Sequence, residues 1–404
     1  MKTLQILLLF FTIGNTNPCF SQDSLAKKGL ISDAENYRNT ILLKHINPFT
    51  KISKEQFNQK IDSLISIVPY INKHKFTIEL FKINSLIEDE HTILFPDNEL
   101  ELPLKFELFD DGMTIIASDS LNKKYLLHRI LSINNNNWSK IDSLFKSIIK
   151  KDNQSYFKFF ETYYFNNSEL LKGLGIINDF SEIPFQLLSP IGDTINVTIS
   201  SNYKSENKNW KYAQQFKKLI AHSKNSNYWF HYNEKSNTLY FNYQRCYEDE
   251  KELFKTFNKR IFKIIKDVRP AKIILDLRFN GGGNSSLLKP FIENIKRSEL
   301  NTKDRFFVII GRKVMSSSLM NVIELKNKTN ATFVGEQTGG NINHFGELKS
   351  FELLNSKISV TYSTKYWENW KNHSGAFKPD IETSNTFSDF LNSYDKSIEI
   401  IFQK

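Results

Sequence analysis

The spacing of apolar side chains in the first hundred residues is that of amphipathic helices. Residues 53–68 open with a Ser that can cap a helix, and they place Phe57 and Ile61 four positions apart on one face. Residues 76–91 continue the same spacing. This pattern predicts a helical N-terminal domain over residues 23–99.

Between residues 100 and 200 the pattern changes to one that is typical of paired strands. Apolar and polar side chains alternate on both sides of Asp111 and Gly112, a pair of residues that favours a tight hairpin turn. Residues 129–149 then indicate a strand, an Asn-rich turn and a helix. We expect a small β-rich module with one or two helices over residues 100–200.

The C-terminal part of the chain alternates apolar strands with helices. Residues 201–236 are interpreted as a linker because they begin with a polar stretch that lacks large aliphatic side chains. Strands are predicted over residues 237–246, 271–279, 305–311 and 331–337. Strands that alternate with helices over short connections form βαβ units with parallel strands. The predicted fold class is α/β, in a mixed α+β, multidomain chain whose last domain spans residues 237–404.

The first 22 residues have the order of a secretory signal. A charged start at Lys2 is followed by an apolar stretch from Leu4 to Gly14, and then by small and polar residues. The apolar stretch is too short to span a membrane, and no later stretch has about 18 uninterrupted apolar residues. We therefore expect residues 1–22 to be removed and the protein to be secreted or periplasmic, without an integral membrane span.

Charge and cysteine content bear on the partners that the protein could have. The net charge is +10, but the Lys residues are scattered among Asn and Ser instead of clustering with aromatic residues, which disfavours nucleic-acid binding. Only Cys246 would remain after removal of the signal, so the mature chain can form no internal disulfide. The His residues are scattered singly, and we expect neither a metal nor another cofactor.

Candidate chemistry lies at the carboxyl ends of three successive predicted strands. Gly-rich and polar turns follow these strands at residues 276–284, 311–321 and 335–347, and such turns meet at one edge of a parallel sheet. The first turn holds three glycines, residues 281–283, whose backbone amides could bind an oxyanion or a phosphate. No Gly-Lys-Ser/Thr sequence follows, which disfavours phosphate. A simple tight turn is the other interpretation.

Three serines in a row, residues 316–318, follow the next strand and precede a predicted helix over residues 318–328. Serine is a common N-cap because its oxygen accepts the free amides of the first helical turn. The same position suits a nucleophile, because the helix dipole favours negative charge there. The three residues alone leave both interpretations open.

Four stretches together resemble the motifs of the tail-specific, or C-terminal-processing, serine peptidase family. They occur in the family's order and spacing and read "IILDLRFNGGG", "VIIGRKVMSSSLMN", "VGEQTGG" and "FKPDIE". The resemblance covers roughly residues 237–400. It implies a ClpP/crotonase-like α/β peptidase core, with a PDZ-like module over residues 100–200 and a protein or peptide as the substrate. The Gly-rich loop by which PDZ domains bind a peptide carboxylate is not visible in this module.

Carried over by position, the resemblance implies four site residues. Ser316 takes the position of the nucleophile, and the amides of Ser317 and Gly282 would form the oxyanion hole. Many members have a Lys base 25 residues after the nucleophile, but this chain has Asn341 there, and asparagine cannot accept the proton. The residues around His91 are similar to the segment from which the tricorn-like branch takes its His base.

The sequence does not decide which residue would orient His91, or whether another His is the base. Asp89 or Glu90 could orient the imidazole, and the orienting Glu of the tricorn-like branch is not evident before the Pro-Asp turn. Glu368 is a nearby candidate for it, and His344 is a second candidate base that is equally interpreted as a pocket or packing residue.

These residues and motifs allow two main functions, which belong to different classes. The first is a secreted serine peptidase in which Ser316 forms an acyl-enzyme and His91 is the general base. The second is a binding protein on the same scaffold that has lost its chemistry, which Asn341 and the missing orienting Glu favour. A phosphate-binding α/β enzyme is a third reading that rests only on the glycines.

Overall fold

The structure is a computed structural model that describes residues 19–204 and 209–404. Side chains are described from Ser24 onward. Most of the predicted signal segment, residues 1–18, therefore lies outside the described residues. No helix in the described part of the chain is long and apolar enough to cross a membrane.

The helices agree with the spacing of apolar residues in the sequence. Ser53 caps the second helix through a capping box with Gln56, as its position before the apolar repeat predicts. In the described ranges the α-helices are α1 Cys19–Lys44, α2 Lys54–Ile67, α3 Lys73–Ser85, α4 Trp138–Lys146, α5 Gln154–Tyr164, α6 Ser168–Gly173, α7 Gln214–Lys218, α8 Phe254–Val268, α9 Lys289–Lys296, α10 Ser316–Lys328, α11 Phe387–Leu391 and α12 Lys396–Gln403.

The strands form several separate sheets. They are β1 Leu94–Phe95, β2 Leu100–Glu101, β3 Leu104–Phe109, β4 Gly112–Ser118, β5 Arg129–Ile133, β6 Asn136–Asn137, β7 Ile183–Leu188, β8 Thr194–Ile199, β9 Asn202–Tyr203, β10 Lys211–Tyr212, β11 Tyr228–Asn233, β12 Thr238–Tyr243, β13 Lys272–Asp276, β14 Phe306–Ile310, β15 Thr332–Gly335, β16 His344–Leu353, β17 Ile358–Trp367 and β18 Ile381–Glu382. The predicted hairpin at Asp111 and Gly112 joins β3 to β4.

The sheet that positions the site has the order β11-β12-β13-β14-β15-β18. All its pairs from β12 to β18 are parallel, and only the edge strand β11 is antiparallel to its neighbour. β11 comes from residues 201–236, the segment that the sequence pattern assigns to a linker. Because the parallel strands point the same way, the turns after β13, β14 and β15 lie at one edge, as predicted.

The six-stranded sheet is covered on both faces, which explains why its central strands are apolar throughout. Helices α8, α9 and α10 pack on one face through a large core that includes Phe241, Phe291 and Val322. A smaller cluster on the other face holds Ile274 and Ile401, the latter from α12. This combination of layers confirms the predicted α/β fold class within a mixed α+β chain.

A long hairpin, β16–β17, joins the C-terminal part of the chain to the N-terminal helices. Leu353, Ile358 and Val360 from this hairpin belong to the same hydrophobic core as the first three helices. Asp33 of α1, which is almost fully buried, accepts hydrogen bonds from the backbone and side chain of Ser356 in the hairpin turn. The hairpin therefore anchors the N-terminal helices beside the sheet edge.

Candidate active site

Ser316 is the first residue of α10 and has an unusual backbone conformation. Its φ is 52°, in the left-handed region that a non-Gly residue occupies at a cost of about 1–3 kcal/mol. Met315 is the N-cap of α10, and no side chain caps the helix. The structure thus contradicts the interpretation that the serines cap this helix, and places Ser316 on a sharp strand-to-helix turn.

The hydroxyls of the three serines have different environments. Ser317 donates to the carbonyl oxygen of Gly283 at 2.5 Å, and Ser318 donates to that of Asn280 at 2.6 Å. Among the described residues, the hydroxyl of Ser316 has no hydrogen-bond partner, and the side chain is half-buried. Two serines therefore hold the glycine turn against α10, and the third is left available.

The glycine turn lies directly against Ser316. A β-carbon added to Gly282 would lie 2.9 Å from Cβ of Ser316 and 3.1 Å from the amide nitrogen of Ser317, and the φ of Gly282 is +110°. Only glycine fits this backbone conformation and this close approach. The amide of Ser317 belongs to the first turn of α10 and has no acceptor within the helix, so it is available to a ligand.

The Gly282 amide differs from the expectation for an oxyanion-hole donor. It donates to the side-chain oxygen of Asn280 at 2.9 Å, and so it is engaged in this structure. Asn280 is fully buried, and its side-chain nitrogen donates to the carbonyl of Tyr243 at 2.9 Å. Asn280 is not among the site residues that the resemblance implies, although it lies within the first of the four motifs.

The third turn brings the segment around His91 to the start of α10. The position of a β-carbon on Gly340 would be 3.0 Å from Cα of Met315 and 3.1 Å from Oε1 of Glu90. The other oxygen of Glu90 accepts the amide of Asn341 at 2.7 Å. Met315, the residue before Ser316, and Glu90, the residue before His91, therefore both lie against Gly340.

The backbone amide and the side chain of Asn341, at the position where the resemblance implies a Lys base, make three polar contacts. Besides its amide bond to Glu90, its side-chain nitrogen donates to Asp152 at 2.7 Å, and its side-chain oxygen accepts from Asn153 at 3.2 Å. These contacts fix the third turn and leave the side chain no role as a base.

The contacts of Asp89 and Glu90 distinguish the two carboxylates that could orient His91. Asp89 accepts hydrogen bonds from the backbone amide of His91 and the side chains of His45, Thr92 and Ser363. Burial raises the pKa of Asp89, but the side-chain bonds from His45, Ser363 and Thr92 and the charge of His91 outweigh it and hold this pKa well below its usual range. Asp89 thus shapes the loop, whereas Glu90 Oε1 is buried and without a hydrogen-bond partner.

The imidazole of His91 lies beside that free oxygen. Its Nδ1 is 3.7 Å from Glu90 Oε1 and also lacks a hydrogen-bond partner. Burial lowers the pKa of His91 below its usual value, more strongly than the carboxylates of Glu90 and Asp89 raise it. The ring of His344 is 5.5 Å from that of His91. A neutral imidazole, the form that can accept a proton, is therefore favoured.

The other candidate residues have simpler environments. His344 is buried, and its Nδ1 lies 2.9 Å from the carbonyl oxygen of Asn341. Glu368 is exposed and makes no hydrogen bond or ion pair with any described residue. No hydrogen bond joins the His91 imidazole to the Ser316 hydroxyl in this structure, and such bonds often form only when substrate binds.

Helix α5 contacts both parts of the site. Asn153, its N-cap, donates through Nδ2 to the carbonyl of Gly339 at 2.8 Å and to that of Thr338 at 3.1 Å. Tyr156 donates to the carbonyl of Glu90 at 3.2 Å. Because these partners are about 65 or 185 positions away in sequence, no local sequence signal could have identified these two residues.

A cleft of about 760 Å³ opens beside the His91 segment. Its lining includes Glu88, Glu90, Asp152, Asn341, His344 and Ser374. The cleft gives the third turn access to solvent, next to the carboxylate that faces His91.

No protein-family model matches the sequence, and no curated protein matches it. Solved structures do match. A structure of mature CPAF with lactacystin has a TM-score of 0.65 at 12% identity, over 94% of this chain and 98% of that chain. Another of mature CPAF has a TM-score of 0.63 at 11% identity, over 93% and 96%. The photosystem II D1 C-terminal processing protease has a TM-score of 0.37 at 11% identity, over 89% of this chain and 93% of that chain.

The two CPAF matches cover nearly the whole of both chains, so the likeness extends beyond the six-stranded sheet to the N-terminal helices and the module. At these identities the likeness is one of fold. The four sequence motifs lie on the strand ends and turns that this fold brings together. The chain therefore has the fold of CPAF.

Proposed function

We propose that the protein is a serine peptidase with Ser316 as its nucleophile. The observation that carries this proposal is the conformation of Ser316, a strained non-Gly residue at the first position of α10. Backbone strain of this kind collects at functional sites. Its hydroxyl is available while those of Ser317 and Ser318 are bonded to the glycine turn.

The reaction proceeds through an acyl-enzyme. The oxygen of Ser316 attacks the carbonyl carbon of the peptide bond, its proton passes to His91, and the carbonyl electron pair moves to the oxygen. Collapse of this tetrahedral intermediate breaks the carbon–nitrogen bond, and the leaving amine takes the proton from His91. Water then hydrolyses the ester by the same steps, and the acid product leaves.

His91 is the general base, and Glu90 is the residue that orients it. We propose that the 3.7 Å between Glu90 Oε1 and His91 Nδ1 shortens to a hydrogen bond when substrate binds. Such a bond would direct the second ring nitrogen outward and stabilise the imidazolium formed during attack. Glu90 therefore takes the part of the orienting Glu that is missing before the Pro-Asp turn.

The oxyanion is bound by two backbone amides. That of Ser317 is free at the start of α10, where the helix dipole also favours negative charge. The Gly282 amide is bonded to Asn280, so we propose that it turns from Asn280 to the oxyanion when substrate binds. The close packing of Gly282 against Ser316 supports this assignment.

The alternative is a binding protein that has lost its chemistry on this scaffold. Three observations favour it: Asn341 in place of Lys, the engaged Gly282 amide, and the absence of a hydrogen bond between His91 and Ser316. The free hydroxyl of Ser316 and the paired Glu90 and His91 favour the peptidase.

The location of the protein and the division into domains are part of the same proposal. A leading segment with the order of a secretory signal supports a secreted or periplasmic enzyme that acts on proteins or peptides. The helices in residues 23–99, the β-rich module in 100–200 and the parallel strands in 237–404 support a helical domain, a PDZ-like module and a peptidase core, which the edge strand β11 extends into the predicted linker.

A fluorophosphonate probe, which phosphonylates activated serines with loss of fluoride, tests the nucleophile and the base. We expect the wild type to be labelled, Ser316→Ala to be unlabelled, and His91→Ala to be labelled at least 100-fold more slowly, with a smaller loss in His344→Ala. Ser286→Ala, an exposed serine, is the matched control. Equal labelling of wild type and Ser316→Ala would contradict the proposal, and an unlabelled wild type would support the binding protein.

Neighbouring glycines give a matched test of the oxyanion turn. A β-carbon on Gly282 meets Ser316 and Ser317, whereas one on Gly281 meets only the end of Lys313 at 3.9 Å. We expect Gly282→Ala to lower kcat by about 100-fold or more and Gly281→Ala to lower it less than tenfold. Steady-state hydrolysis of a fluorogenic peptide measures both, and similar losses in the two variants would count against the assignment.

The pH dependence of kcat/KM tests the pairing of Glu90 with His91. Because the pKa of His91 is lowered, we expect the acidic limb of the profile to lie below pH ~6.5. Glu90→Gln removes a charge that raises this pKa, so the limb should move to lower pH while kcat falls. Glu368→Gln, an exposed carboxylate, should leave the limb in place. A limb that does not move in Glu90→Gln would exclude Glu90 as the partner.

A further inference from the structure

Asn280 and Cys246 form a fully buried polar pair beside the glycine turn. The sulfur of Cys246 lies 3.4 Å from Oδ1 of Asn280. The backbone of Cys246 contacts the same turn, since its amide donates to the carbonyl of Gly282 at 3.0 Å and its carbonyl accepts the amide of Asn284 at 2.7 Å. The pair therefore lies directly against the backbone that would bind the oxyanion.

The orientation of the Asn280 amide is set by two backbone partners. Its Nδ2 donates to the carbonyl of Tyr243, and its Oδ1 accepts the amide of Gly282, both at 2.9 Å. A reversed side-chain amide would bring two donors together at one contact and two acceptors together at the other. Oδ1 is therefore the atom that faces both the Gly282 amide and the thiol.

The thiol of Cys246 is a donor with two acceptors in reach. Besides Asn280, its sulfur lies 3.6 Å from Oδ1 of Asn321 in α10, a residue that is also fully buried. Burial raises the pKa of Cys246 to about 11, so the sulfur keeps its hydrogen near neutral pH. One hydrogen cannot serve both oxygens equally well, and the shorter distance favours Asn280.

Opening of the oxyanion hole changes the bonding of Asn280. When the Gly282 amide turns towards the oxyanion, Oδ1 of Asn280 loses that donor. A buried acceptor without a partner is unfavourable, and this cost would oppose the binding of the oxyanion. Among the described residues, the Cys246 thiol is the other donor to this oxygen, and it therefore lowers the cost.

Bonds from α10 keep the surroundings of this pair in place. Asn321 donates through Nδ2 to the carbonyl of Ser285 at 2.7 Å, and Ser318 donates to the carbonyl of Asn280 at 2.6 Å. These bonds hold the residues on both sides of the glycine turn while the Gly282 amide moves. The change on substrate binding can therefore be confined to one peptide unit and one thiol hydrogen.

We propose that Asn280 and Cys246 are positioning residues of the oxyanion hole. Asn280 holds the Gly282 amide in the free protein, and the thiol of Cys246 takes over as the donor to Oδ1 when this amide binds the oxyanion. Neither side chain touches the substrate, and no covalent bond forms at the thiol. This inference rests on the proposed peptidase function and adds two residues that control its oxyanion hole.

Two variants of similar size isolate the donor. Cys246→Ser keeps a hydroxyl that can donate to Asn280, whereas Cys246→Ala keeps only a methyl group. We expect kcat for a fluorogenic peptide, per site that the fluorophosphonate probe labels, to be about tenfold lower in Cys246→Ala than in Cys246→Ser, with the same KM. If Cys246 only fills the core, the two variants should have equal kcat per labelled site, and this result would overturn the inference.

Two inhibitors locate the effect at the oxyanion. A peptide boronate bonds to Ser316 and carries a negative oxygen in the oxyanion hole, whereas a peptide with a methylene group in place of the scissile carbonyl has no such oxygen. We expect Cys246→Ala to bind the boronate about tenfold more weakly than Cys246→Ser does, and both variants to bind the methylene peptide equally. Equal weakening for the two inhibitors would contradict a role at the oxyanion.

Infrared spectroscopy follows the thiol without any change to Cys246. The chain has two cysteines, Cys19 and Cys246, so the S–H stretching band of Cys19→Ser reports Cys246 alone. A stronger hydrogen bond weakens the S–H bond, and we therefore expect this band to move to lower frequency when a phosphonate adduct forms on Ser316. An unchanged band would overturn the inference, even if the Cys246 variants do not fold.

The outcomes separate this inference from the proposed function. Hydrolysis and labelling of Ser316 in the wild type, with equal kcat in Cys246→Ala and Cys246→Ser, would overturn the inference alone. A wild type that neither hydrolyses peptides nor is labelled would instead refute the peptidase function, and the inference would fall with it.

Discussion

The contact on which the site depends joins Glu90 to the third turn of the sheet. One oxygen of Glu90 accepts the amide of Asn341, and the other lies beside Gly340, close to Met315 at the start of α10. A residue of the N-terminal part is thereby held against the helix that carries Ser316. A β-carbon at position 340 would lie 3.0 Å from Cα of Met315 and 3.1 Å from Oε1 of Glu90, so a larger residue there would push on both. This contact directly links the segment of His91 to the turn beside the nucleophile.

The rest of the structure supports this contact from several directions. The β16–β17 hairpin anchors α1 through Asp33, and the polar network around Asp89 holds the loop before His91. Helix α5 bonds to the third turn through Asn153 and to Glu90 through Tyr156. Each buried polar group in these contacts would be costly if its partner were lost. The site is therefore assembled from three parts of the chain that constrain one another, which fits a reaction that needs a preorganised geometry.

The sequence predicts the local features well and the long-range ones only through resemblance. Apolar spacing identifies the helices around Phe57 and the parallel strands, because both depend on near neighbours in sequence. The motif positions bring Gly282 and Ser316 together as observed. The β16–β17 hairpin, the strand β11 and the contacts of Asn153 are not predictable in this way, since their partners are distant in sequence. Which of Asp89 and Glu90 orients His91 is likewise not predictable, since it depends on which carboxylate keeps an oxygen without a hydrogen-bond partner.

A crystal structure of the protein with a phosphonate inhibitor tests the central claim most directly. The account predicts a covalent bond from phosphorus to the oxygen of Ser316, with the inhibitor's negative oxygen within hydrogen-bond distance of the amides of Ser317 and Gly282. It also predicts the imidazole of His91 within about 3.2 Å of the serine oxygen and Glu90 bonded to its Nδ1. An adduct on Ser316 with His91 turned away and another base in its place would contradict it.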